Sequence, residues 1–140
     1  MVRREEWLTA YGHEHVTATH RTTFEITKEK HLTLAGSCIL AVGADKSGPD
    51  LDSSFVSLLR EGAVLTTTLT CDSQRVTIRS KGSGELSLTH PTDLVWRRST
   101  FTCDRTIGIC ADQTAQHIPR EMVRLLQEGA ELSVLLVAEL

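Results

Sequence analysis

Apolar and polar residues alternate along two long stretches of the chain. In residues 16–27, Val16, Ala18, His20, Thr22, Phe24 and Ile26 share one side. In residues 86–97, Leu86, Leu88, His90, Thr92, Leu94 and Trp96 do the same. A two-residue period marks a half-buried strand, so both stretches are predicted to be strands with their histidines on the apolar face. Short apolar runs at 38–44 and 106–111 read as second strands. The period then changes. Leu51, Phe55, Leu58 and Leu59, and later Ile118, Met122, Leu125 and Leu126, recur at helical spacing, predicting helices over about 51–61 and 118–128. Asp50 or Asp52 suits the start of the first helix, and Pro119 the first turn of the second. Gly62 and Gly129 stand where a left-handed residue ends a helix. Strands at 64–70 and 132–138 follow, rich in β-branched residues and leucine, with a further strand at 75–80.

The same elements are thus written twice. Gly12 to Thr22 reads GHEHVTATHRT and Gly82 to Thr92, 70 residues later, reads GSGELSLTHPT. Beyond a shorter loop in the second half the offset becomes 67, and ten of thirty positions are identical between 40–69 and 107–136. The extra residues of the first half fall in the loop 28–36, where insertion costs little. A self-similar chain is read as repeats first. Two copies of a β-β-α-β unit, about 12–69 and 82–136, fit one domain spanning 1–140 with internal two-fold symmetry. The fold class expected is mainly β with two short helices (α+β). Each unit leaves a sheet face uncovered, so the two should intertwine as a closed barrel or as a two-sheet sandwich.

Composition narrows the function classes. Hydrophobic residues are 40% and charged residues 24% of the 140, an ordinary globular balance. A net charge of −3 and a pI near 6.0 disfavour a dedicated nucleic-acid binder, which needs a basic face to neutralise phosphate. Arg3-Arg4 and Arg97-Arg98 do not make one, although a local patch assembled in three dimensions remains open. No apolar run reaches the roughly 18 residues of a membrane span, and acids directly follow the N-terminal arginines, unlike a secretory signal. The expectation is a cytoplasmic protein without membrane association. Cys38, Cys71, Cys103 and Cys110 show no metal-binding spacing and read as free thiols; a Cys103–Cys110 bridge would be unusual in a reducing compartment. A homodimer is left open.

Candidate chemistry comes from comparing the halves. Exposed positions have drifted, but Thr19/Thr89, His20/His90, Thr22/Thr92 and Asp45/Asp112 are the same in both. Imidazoles on an inward face need partners, and Thr22 and Thr92 lie two residues on. The histidines are therefore either satisfied core groups or a pair poised for metal, proton transfer or an anion. Asp45 and Asp112 end strands and either turn the loop or join a site. If His20, His90, Asp45 and Asp112 converge, their nitrogen and oxygen donors suit a divalent metal such as Zn, Mn or Fe. Weaker candidates are one-sided: Asp104 and Arg105, whose first-half counterparts carry no charge, and Lys46, which becomes Gln113. The histidine-rich run Gly12 to His15 has no counterpart in the second half.

Two resemblances add to this. The Glu-Gly-Ala-x-Leu segment after each helix resembles the helix-to-strand turn of cradle-loop barrels, with Ala63 and Ala130 where those barrels commonly carry aspartate. The segments GHEHVTATHRTTFEIT, GSCILAVGADK and LSLTHPTDLVWRRSTFTCDRTIGICAD resemble the archaeal family called domain of unknown function 371, over about 12–136. That resemblance implies an archaeal, intracellular, stand-alone domain and assigns no catalytic residue. Its motifs fall on Thr19-His20, Ala44-Asp45-Lys46, Thr89 to Asp93 and Cys103-Asp104-Arg105. Three readings follow. The first is a module binding a small molecule or ion at a pseudo-symmetric centre. The second is a metal-dependent hydrolase or nuclease, and the third a structural or interaction protein with core histidines.

Overall fold

The computed structural model describes residues 1–140. Eight strands form two four-stranded sheets. The first sheet has the order β1 (Arg3–Tyr11), β8 (Glu131–Glu139), β4 (Val64–Cys71), β5 (Gln74–Lys81), all neighbours antiparallel. The second has the order β3 (Ile39–Ala41), β2 (Thr23–Thr27), β6 (Asp93–Arg97), β7 (Thr106–Gly108). Its central pair, β2 and β6, is antiparallel, and each outer strand runs parallel to its neighbour. Only single bridges, Tyr11 to Val42 and Lys81 to Ile109, join the sheets at their corners. No closed ladder forms, so of the two predicted architectures the two-sheet, sandwich-like arrangement is the one present.

Each half runs through strand, strand, short strand, 3₁₀ turn, helix and strand. The helices are α1 (Ser53–Arg60) and α2 (Arg120–Gln127). Asp52 caps α1 by accepting the Ser54 N–H, and Pro119 occupies the capping position of α2. Gly62 and Gly129 lie at φ 93° and 84°, the left-handed region expected of them. The halves interlock through glycine. Gly12 and Gly82 press against the carbonyls of Leu126 and Leu59 in the opposite half's helix, where a Cβ would come within 1.9 and 2.0 Å of oxygen.

Three expectations are corrected. The long alternating stretches are strands only at 23–27 and 93–97. Ala18 and Leu88 have φ of 48° and 53°, which breaks extended backbone ahead of each strand. As a result His20 and His90 are half-buried instead of core-facing, and Thr22 is exposed. The second strands pair over three residues only. Strand β1 was not predicted, although Glu6, Leu8 and Ala10 alternate inward along it. In element order it precedes β2 as β5 precedes β6.

The core is one cluster of 35 buried residues between the sheets. At its centre Phe24 and Trp96, paired across β2 and β6, stack with centroids 4.5 Å apart. The Trp96 indole N–H donates to the buried Thr67 hydroxyl at 2.9 Å, tying one sheet to the other. No helix is long and apolar enough to cross a membrane.

Candidate functional site

Phe24 and Ile26 of β2, and Leu94 and Trp96 of β6, face the core. Alternation therefore turns Thr23, Glu25 and Thr27 to the other face of the second sheet, beside Arg97, Val95 and Asp93 in that register. This face is not free surface. Thr23, Glu25, Thr27 and Val95 are all buried, so charge here is desolvated.

Arg105, just before β7, reaches over this face. Its Nη1 lies 3.3 Å from both Glu25 Oε1 and Asp93 Oδ2. Asp93 Oδ1 also accepts the hydroxyls of Thr27 at 2.7 Å and Thr92 at 2.9 Å, and His90 Nε2 stands 3.9 Å from Oδ2. Burial alone would raise the Asp93 carboxyl, but hydrogen bonds from Thr27, Thr92 and Arg105 prevail and hold it below its ordinary range. Glu25 has fewer donors. Burial first, and the neighbouring Asp93 charge second, push it up to about 7 against the pull of Arg105. Below about pH 7 the pair therefore carries one proton, on Glu25, while Asp93 stays ionised.

Thiols flank the pair. Cys38 Sγ lies 3.8 Å from Glu25 Oε1, and burial followed by that carboxyl raises its pKa. Cys103 is the opposite case. Its N–H donates to Thr106 Oγ1 at 3.1 Å, Arg97 Nη2 lies 3.2 Å from its sulfur, and Arg97 Nε donates to the same Thr106 oxygen at 2.9 Å. Burial opposes ionisation, but the Arg105 N–H and the Thr106 and Arg97 side chains outweigh it and bring Cys103 down to about 7. Phe101 packs under the Arg97 guanidinium, 4.9 Å from centroid to carbon. All four cysteines are free.

The predicted site residues separate into three places. Arg105, His90 and Thr92 belong to this cluster. His20 Nδ1 accepts the N–H groups of Thr22 and Thr23 at 3.2 Å each, and His90 Nδ1 those of Thr92 and Asp93 at 3.2 and 3.0 Å. Both imidazoles thus close the turn that starts a strand. Asp45 and Asp112 lie at the edges of the first sheet. Each carboxylate accepts a strand N–H, from Thr9 at 3.0 Å and Arg79 at 2.9 Å, and each returns its own N–H to that residue's carbonyl. Histidines and aspartates are not brought together, and no three His, Cys, Asp or Glu side chains are arranged to hold a metal. Asp104 is exposed, and its carbonyl accepts the His90 N–H at 3.1 Å. Lys46 pairs with Glu6 at 2.9 Å. In the second half Val76 stands where Glu6 does, and Gln113 accordingly donates to the Thr77 carbonyl instead.

The model of the family described as domain of unknown function (DUF371) matches residues 8–139. The chain belongs to this family. It is also similar to the uncharacterized protein MJ0206 of Methanocaldococcus jannaschii, 44% identical over 123 residues that cover 88% of this chain and 91% of the relative. The matched span contains every residue of the cluster. Sequence reasoning missed Glu25, Asp93, Arg97, Cys38 and Cys103 as site residues because it favoured positions the halves share. Their counterparts are Val95, Thr23, Thr27, Arg105 and Gly36, so the chemistry lies where the halves differ. The available signal was that one-sidedness, already visible at Arg105. Neither of the two surface cavities opens on the cluster; both lie on the first sheet.

Proposed function

We propose that this protein is a cytoplasmic small-ligand binding module built from a duplicated unit, with its site at the centre where β2 and β6 meet. The ligand is a small oxyanion held by Arg105. The observation that carries this is the state of that guanidinium. It is about one-third exposed, turns Nη1 toward both Glu25 and Asp93, and is also hydrogen-bonded to the Cys103 sulfur. Behind it Glu25 titrates at about 7, so below that pH the guanidinium faces the single carboxylate of Asp93 and can take an anion as a further charged partner. A buried, perturbed carboxyl next to a specific charge partner is the kind of group that functional sites use. Because Glu25 competes for Arg105 only when ionised, binding should be tighter below pH 7 than above.

The test is thermal unfolding of the wild type and Arg105→Gln with inorganic phosphate, sulfate, acetate and succinate, at pH 6 and pH 8. The reading predicts saturable stabilisation by at least one anion, stronger at pH 6 and absent from Arg105→Gln. Equal effects in both proteins, or none in either, would reject it. The turn-closing role of His20 favours the structural reading for that residue, whereas His90, which closes the other turn, also touches the cluster through Nε2, 3.9 Å from Asp93.

A further inference from the structure

The outward face of the first sheet carries features that the cluster does not use. Val64 and Thr66 of β4 lie in register with Lys81 and Arg79 of β5, and Val64 is also in register with Glu139 of β8. All of these side chains point away from the core. Two cavities, of about 380 and 270 Å³, adjoin along this face and share Val64 and Arg79. The larger falls in the size range of ligand sites, roughly 300–1,000 Å³. Its apolar lining comes from Val64 and Leu140, 41% and 51% exposed, together with Met1.

The polar lining is asymmetric. Arg79 donates its main-chain N–H to Asp112, but its guanidinium makes no hydrogen bond or ion pair, and neither does the Lys81 ammonium. Ser80, between them in sequence, turns its hydroxyl inward toward Gly108 and takes no part in this face. Asp112 also lines the smaller cavity, and its carboxylate already accepts the Arg79 N–H. Glu139 stands across Val64 from Lys81, two strand spacings or about 10 Å away. One end of the groove thus offers two unengaged cations, the middle is apolar, and the far end is acidic.

We propose that this groove is a second binding site, for a small molecule with one acidic head, carboxylate or phosphate, on an apolar body. The head sits between Arg79 and Lys81, and the body lies on Val64 and Leu140. Glu139 sets the specificity by repelling a second acidic group at the far end. This site is independent of the one at Arg105.

Titration of the ¹⁵N-labelled full chain with octanoate, octyl phosphate, octanol and suberate tests it. Octanoate or octyl phosphate should move the Val64, Thr66 and Arg79 amides saturably, the tighter of the two naming the head group. Octanol, which lacks the head, and suberate, which carries two, should bind roughly tenfold more weakly or worse. Arg79→Gln should abolish binding with other amide positions unchanged, and Glu139→Gln should restore suberate. Arg105→Gln should have no effect, which separates failure here from failure at the cluster. Octanol binding as well as octanoate, binding retained in Arg79→Gln, or no saturable shift from either acid would overturn the proposal.

Discussion

Glu25 is the residue on which the chemistry turns, and its state has a consequence for stability. Its carboxyl is raised from 4.5 to about 7 in the fold. A raised acid binds its proton more tightly when folded, so its contribution is fully present below about pH 4.5 and is lost as pH rises through about 7. At 1.36 kcal/mol per unit the loss is about 3 kcal/mol. Glu25→Gln cannot ionise and escapes it. Urea unfolding of both proteins from pH 4 to pH 8 should show the variant gaining on the wild type across that interval by roughly this amount. Parallel stability curves would mean that Glu25 titrates normally.

At the scale of elements, β2 and β6 begin where an imidazole gathers two main-chain N–H groups. Replacing His20 or His90 with alanine leaves those donors to solvent or unpaired and should cost about 1–2 kcal/mol each, with faster amide exchange at Thr23 or Asp93. Exchange unchanged in both variants would mean that the turns hold without the rings. Helices, their glycine ends and the final strands were legible because period and capping are local properties. The long alternating stretches misled because alternation continues through residues such as Ala18 and Leu88, whose positive φ no side-chain pattern reveals. The pairing of β1 with β8, joining the chain's ends in sequence, is a long-range fact that no window along the chain contains.

For the whole molecule, a mainly β fold with two short helices was readable, and the choice between barrel and sandwich was the open question. What decided it is that β3 and β7 are short and meet the first sheet through single bridges only. The site was half legible. Arg105, His90 and Thr92 stood among the candidates, but shared positions such as Asp45 and Asp112 proved to fasten strand edges. Glu25, Asp93 and Cys103 have no like counterpart; the pairing of β2 with β6 sets Glu25 beside Asp93, and the segment before β7 adds Cys103 and Arg105.

The central claim is that Glu25, beside an ionised Asp93, keeps its proton in the folded protein up to about pH 7. The most direct measurement is the ¹³C chemical shift of the Glu25 carboxyl through a pH titration, assigned by its absence from Glu25→Gln. The account predicts a midpoint near 7, with Asp93 remaining ionised below its ordinary range. A Glu25 midpoint at 4.5, the value of a free glutamate, would contradict it.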